Sequence, residues 1–470
     1  MLNAAVHGLP IRSQPTPGVD TVDVNHHLLN TSLPHYGGRQ WIRSCLPDGG
    51  ESWSAETGGS RSDRSHEPVI CTPWRWPAEP VFFFGDPHAD SEAFMASLVA
   101  SGGIEKIGYS DDAFGLTDVG RKALFILAGD CFDKGPDNLR LMRTLRLLLD
   151  RGARMRILAG NHDVRILLGM REVNQPRNPS NEHFFIRMGA KAVPLLVEIY
   201  NQYLAGRGAL RGIPGTAECR RRLYPSDRWF DIFPKLARKN MQKSTLEHEL
   251  IRIRWKIEHF EVDCDTAGLT LRHAYAAALK WQYLFLRPEG EFYWFFNAMQ
   301  LACHEGSFLF IHAGLDDRIA EVINTRGIRY LNRRFREQLE GEAFDLYYGP
   351  IGNCFRTKYR EVDMPFTKQG TASAHHAGIK AVMHGHRNVL HGQHIVRQQG
   401  MINFECDTTM DFNSRRKEGL KGPGAGITII HPDRVVIGIS TDYPKFKLYS
   451  QDGDAPRFPC EDPERSGSFS

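Results

Sequence analysis

The chain has 470 residues, 41% of them hydrophobic and 24% charged, an ordinary globular balance with ample apolar material for a sizeable core. Its formal net charge of +4 is too small to argue for or against a polyanionic partner. Nine cysteines, scattered and never spaced as Cys-x-x-Cys, exclude a zinc ribbon or a disulfide scaffold and suit free thiols in a reducing compartment.

The N-terminal stretch lacks a basic start followed by an apolar run, and no later segment is long enough to cross a bilayer, so a cytoplasmic protein without membrane contact is expected. Residues 1–76, rich in Gly, Ser, Pro, His and Asp, read as a largely loop-like extension. Order begins at "EPVFFFGDPHAD", where Val81 to Phe84 form a short apolar run stopped by Gly85 and Asp86, the pattern of a buried strand. "ALFILAGDCFDKGPDN" repeats it, with Asp130, Asp133 and Lys134 at the strand end. The amphipathic helix "NLRLMRTLRLLLDRG" follows, then a third strand, "MRILAGNHD".

Residues 164–300 change character to long amphipathic stretches and read as a mainly helical insertion. Within 204–260 there are 13 Lys or Arg against 6 Asp or Glu, which suits either a basic cap that contacts a polyanion or a solvated helix face. The aromatics of "KWQYLFLRPEGEFYWFFNAM" have helical spacing and read as core before base-stacking platforms. Strands resume with "SFLFIHAGLDD", "IKAVMHGHRN", "GMINFECDTT", "GITIIHP" and "VVIGIST", and 446–470 read as a C-terminal tail.

In an alternating strand and helix chain, ligands bind beyond the carboxyl ends of strands. Five such ends here carry Asp86 and His88, then Asp130 and Asp133, then Asn161, His162 and Asp163, then His312, then His384 and His386. Carboxylates, imidazoles and an amide are ligands for borderline divalent metals. Each cluster alone could be a turn or a helix cap. Five in succession, each after an apolar strand, are hard to assign to turns.

"GDPH", "GDCFDKGP", "GNHD", "IHAGL" and "HGHRN" together resemble the signatures of the calcineurin-like metallophosphoesterases, in particular the phosphoprotein phosphatase and symmetrical dinucleoside-tetraphosphatase branch. The resemblance covers roughly 80–163 and 305–440. It implies an α/β sandwich of two mixed β-sheets flanked by helices, with the site at one end of the sheets. The catalytic domain would comprise 77–163 and 301–445, and the insertion 164–300 would sit near the mouth.

The same resemblance implies two divalent ions (Mn, Fe or Zn, with Mn the first choice in vitro). Asp86, His88 and Asp130 would hold one, and Asp130, Asn161, His312 and His386 the other. Asp130 would bridge, because two close cations need a shared anionic ligand. Hydroxide between the metals would attack phosphorus in line. His162 would be the general acid, oriented by Asp133.

Lys134 stands where the family commonly has arginine and is expected as a phosphate contact with a single point charge. Arg165, Arg387 and Asn161 are further expected substrate contacts. Asn388 in place of a second histidine of a Gly-His-x-His motif favours the phosphatase-like over the nuclease-like branch, and His384 suits a structural role. The expected function is a phosphomonoesterase of serine/threonine phosphatase type acting on a phosphoprotein or nucleotide. The alternatives are a dinucleoside polyphosphate hydrolase and a non-catalytic metal-containing binding protein.

Overall fold

A computed structural model describes residues 40–45 and 73–450, apart from 239, 240 and 444. Most of the extension expected over 1–76, and the chain beyond 450, lie outside the described residues. The strands in order are β1 (Gln40–Cys45), β2 (Val81–Phe84), β3 (Ile104–Lys106), β4 (Phe114–Leu116), β5 (Leu124–Leu127), β6 (Arg154–Leu158), β7 (Met299–Gln300) and β8 (Ala302–Glu305). They continue with β9 (Phe308–Ile311), β10 (Ala381–His384), β11 (His394–Gln398), β12 (Met401–Glu405), β13 (Gly426–His431), β14 (Val435–Ser440) and β15 (Lys445–Ser450).

The larger sheet runs β1-β15-β14-β13-β2-β5-β6-β7 and the smaller β11-β12-β10-β9-β8, with β3 and β4 pairing separately. Both are mixed. β2, β5 and β6 are parallel while β13 is antiparallel to β2. β10 is parallel to β9 and β12, and β8 and β11 are antiparallel edges.

The period-two alternation of a strand explains how the layers adhere. Val81 and Phe83 of β2 face a core shared with Phe308, Phe310, Met383 and Phe404 of the smaller sheet. Phe82 and Phe84 point the other way, into the core that the helices cover. Phe83 meets Phe310 with ring centroids 5.5 Å apart, and each such buried ring contributes about 1.5–3 kcal/mol of transfer free energy.

Between β6 and β7 the chain is helical, from Asn161–Arg171 to Tyr293–Ala298. The dense aromatics there are core: Trp281, Phe285, Phe295 and Phe296 are buried. They also anchor the strand-end loop, since Phe132 lies 5.7, 5.4 and 6.0 Å from the rings of Phe285, Phe295 and Phe296. Much of the basic excess in 204–260 is internally engaged. Arg220 pairs with Glu261, Arg221 and Arg222 with Glu218, Arg252 with Glu249, and Lys256 donates to the Arg187 carbonyl.

The tail reading of 446–470 starts too early, because Lys445–Ser450 form a strand between β14 and β1. Its lysines and serine disguise a strand in which Phe446, Lys447 and Tyr449 are all buried. Among the described residues no helix is long and apolar enough to cross a membrane.

Candidate metal centre

Short apolar strands ending in Gly-Asp or Gly-Asn carry polar side chains to one edge of the two sheets. Asp86 and His88 follow β2, Asp130 and Asp133 follow β5, Asn161 and His162 follow β6, His312 follows β9 and His386 follows β10. Backbone hydrogen bonds fasten these loops together: His88 N donates to Asp130 O at 2.9 Å and Gly385 N to His312 O at 3.0 Å. The glycines are required by crowding. A Cβ at Gly160 would stand 2.0 Å from Asp130 N and 2.3 Å from Asp130 Oδ1.

Strain concentrates here. His88, Asp130, Asp133, Lys134 and His386 all adopt positive φ, between 41° and 69°. Non-glycine residues enter that region at a cost that surrounding structure must offset.

Two groups of donor atoms, each within 4.8 Å, share one carboxylate: His88, Asp130 and His162 form one, and Asp130, His312 and His386 the other. Asn161 Oδ1 lies 3.2 Å from His312 Nε2, beside the second group. Asp86 stands between the two. Its Oδ2 is 3.9 Å from His88 Nε2 and accepts from His386 N at 2.9 Å, while its Oδ1 is 3.8 Å from His312 Nδ1.

The residues fit a pair of divalent cations. Asp86 Oδ1 and His386 Nε2 are buried with no hydrogen-bond partner, an expensive condition for atoms that only donate a lone pair. Burial and the neighbouring Asp407 and Asp130 raise the Asp86 pKa well above the usual carboxylate range. Burial, then nearby cationic groups, lowers those of His88, His162 and His386. Crowded carboxylates and neutral imidazoles are stabilised together by bound cations.

His162 appears in a donor group although the expected ligand set leaves it out. Its Nε2 is 3.8 Å from Asp130 Oδ2 and its Nδ1 is 2.8 Å from Asp133 Oδ2. The same Nδ1 lies 2.8 Å from an Arg165 guanidinium nitrogen, so a carboxylate and a cation both meet this edge of the ring while Nε2 points toward Asp130. Asp133 is itself fixed from the helical segment: Asn138 Oδ1 accepts from Asp133 N, and Glu198 accepts from Asn138 N and Nδ2.

Arg165 and Arg387, expected against substrate, are engaged elsewhere. Arg165 is buried against Asp133 and His162, and Arg387 donates to Glu405 at 2.8 Å and touches His384. Lys134 Nζ lies 2.6 Å from His88 Nε2.

Three residues escaped sequence reasoning. Asp163, named above among the strand ends without a role of its own, accepts from Cys131 N, Phe132 N and Gly160 N and so clamps the β5 loop to the β6 loop. Asp407 follows β12, is buried, and keeps Oδ2 without a partner; burial pushes its pKa up to about 6. The strand "MINFE" ending in Cys-Asp was the available signal. Lys191, exposed but desolvated by the protein around it and beside Arg165 and Lys134, has its pKa brought down to about 8.

Residues 79–261 match the family model described as calcineurin-like phosphoesterase. The matched stretch contains Asp86, His88, Asp130, Asn161 and His162, while His312 and His386 lie beyond it. With this match, the five motifs and the mixed α/β fold, residues 79–261 are similar to the calcineurin-like phosphoesterases, phosphoric ester hydrolases of a family that uses divalent metals.

Two similar solved structures come from phosphatases. One is a cold-active protein-tyrosine phosphatase of a psychrophile, Shewanella sp., at 12% identity, covering 79% of this chain and 80% of that one with a TM-score of 0.38. The other is a protein serine/threonine phosphatase from Saccharomyces cerevisiae with similarity to human phosphatase PP5, at 11% identity, covering 79% of each with a TM-score of 0.35. No curated protein matches the chain in sequence.

Proposed function

We propose that the chain is a two-cation phosphohydrolase that cleaves phosphomonoesters in the manner of serine/threonine phosphatases. The observation that carries the reading is a single buried carboxylate, Asp130, common to two groups of metal-ligating atoms. Asp86 and His88 complete one ligand set with it, and Asn161, His312 and His386 the other. When bound, the two cations neutralise phosphate oxygens and make water acidic enough to supply a nucleophile near neutral pH; manganese is the first choice in vitro.

The protein groups do the remaining work. His162, held by Asp133 through Nδ1, keeps Nε2 on the side of the shared carboxylate Asp130, and a proton carried there is the one an alkoxide leaving group needs. Asp133 also holds Arg165, so one carboxylate fixes both the ring and a cation beside it. Lys134 is the remaining cation for the phosphoryl group. A phosphorylated protein or nucleotide is the proposed substrate, without a polyanion tether, since the ion pairs within 204–260 favour a solvated helix face. Cys131, Cys219, Cys264, Cys303, Cys354 and Cys406 are free and buried, in keeping with a reducing, cytoplasmic setting.

The test is turnover of a phosphoserine peptide and of a dinucleoside tetraphosphate by purified protein with added Mn²⁺, with Asp130→Asn as control. Cleavage of the peptide by wild type alone supports the proposal. Preference for the dinucleotide replaces the ester with a pyrophosphate bond as the target, and no Asp130-dependent turnover of either leaves a binding protein.

A further inference from the structure

One contact lies outside the roles assigned so far. Lys134 Nζ is 2.6 Å from His88 Nε2. The other ring nitrogen, Nδ1, is 3.4 Å from the Phe132 carbonyl oxygen, which can only accept. The ring proton therefore belongs on Nδ1, and the single lone pair of the neutral ring is on Nε2. That lone pair accepts from the lysine ammonium. It is also the lone pair that a divalent cation requires of His88, and it serves one of the two at a time.

The surroundings are those of a cation position. His88 Nε2 is 3.9 Å from Asp86 Oδ2 and 3.9 Å from Asp130 Oδ2. Asp407 adds a buried carboxylate with an unpartnered oxygen, and the charge of Lys134 favours the ionised forms of both Asp86 and Asp407. Backbone geometry aims the side chain inward. Lys134 itself has φ of 65°, its carbonyl accepts from Asn413 Nδ2, and Gly135 N donates to His88 O at 2.8 Å. An ammonium is a compact point charge suited to this place, whereas a planar guanidinium is broader and needs a fork of acceptors.

We propose that Lys134 is a built-in competitor for the first cation position: its ammonium holds the His88 lone pair, and a divalent ion binds there only by displacing it. The inference rests on the two-cation reading above. It makes the two positions unequal. The one built by Asn161, His312 and His386 loads without competition, and the one built by Asp86 and His88 loads later. The displaced ammonium is then free to meet the phosphoryl group, so occupancy of the weaker position and readiness for substrate are coupled through one side chain.

The experiment is Mn²⁺ binding to the full chain by titration calorimetry and equilibrium dialysis, for wild type, Lys134→Met and His88→Ala. Wild type is expected to bind two ions with separated affinities. Lys134→Met should tighten the weaker one by about tenfold or more and leave the stronger unchanged, on the scale of other partners of metal ligands. His88→Ala should lose the weaker ion. Lys134→Ala gives the same comparison if the methionine variant does not fold. Two ions bound with wild-type constants by the Lys134 variants would overturn the competition while leaving the two-cation reading intact. One ion bound by wild type and variants alike would overturn both.

Discussion

Asp133→Asn separates the acid from the rest of the site. Asparagine keeps the shape of the side chain but removes the charge that His162 Nδ1 meets at 2.8 Å and that Arg165 also contacts. Asp133 and Arg165 are both buried, at 1% and 8% exposure, so the guanidinium is left facing a neutral amide, and breaking such a pair costs about 3–5 kcal/mol. Activity should fall by more than stability explains. With phosphoserine, whose alkoxide must be protonated as it leaves, the loss of an oriented acid should lower kcat by about 10²–10⁴-fold. With p-nitrophenyl phosphate, whose leaving group is stable as an anion, the loss should stay within about tenfold. The assay is kcat for both substrates, measured on protein whose folded fraction is checked by urea denaturation. Equal losses on the two substrates would refute the assignment of His162 and Asp133 to leaving-group protonation.

Gly160→Ala forces a Cβ to within 2.0 Å of Asp130 N; a loss of about 3 kcal/mol in denaturant unfolding, with weaker Mn²⁺ binding, is expected. Arg187 and Glu249 form a buried ion pair at 2.6 Å inside the helical segment. Arg187→Met and Glu249→Leu should each cost about 3–5 kcal/mol, and the double variant less than either, because no buried charge is left alone. Additive losses in that cycle would contradict the pairing. Burial lowers the Lys256 pKa from 10.5 to about 6. Between those values the unfolded chain binds more protons than the folded one, so this group's contribution to stability rises with pH and its penalty is complete below about pH 6. Lys256→Met should therefore stabilise by roughly 4 kcal/mol more at pH 6 than at pH 9; a pH-independent difference in unfolding free energy would remove the linkage.

The strand ends were readable because β2, β5, β9 and β10 are short, mostly apolar runs buried on both faces, and β6, RMRIL, alternates exposed arginines with buried residues before its apolar end; each is followed by a polar ligand type. The gathering of those ends needed no tertiary knowledge beyond the tendency of ligands to bind at carboxyl edges. Asp407 carries the same signal in weaker form, after "MINFE" but without a glycine to mark the turn. β15 was hidden because "KFKLYS" alternates with lysine, and its pairing with the distant Gln40–Cys45 has no local signature. The fates of Arg165 and Arg387 depend on Asp133 and Glu405, partners 32 and 18 positions away. Sequence proximity to the motifs suggested substrate contact for both; in the fold each meets a carboxylate, and Arg165 Nε and Arg387 Nη1 keep no partner among the described residues. Lys134 was visible as a substitution for arginine, but its approach to His88, 46 positions away, required the folded loops.

The central claim, that Asp130 is shared between two cations, is tested most directly by anomalous diffraction from crystals soaked in Mn²⁺. The account predicts two peaks about 3.5–4 Å apart, with Asp130 between them, Asp86 and His88 on one side and Asn161, His312 and His386 on the other. A single peak at saturating Mn²⁺, or two peaks that do not share Asp130, would contradict it.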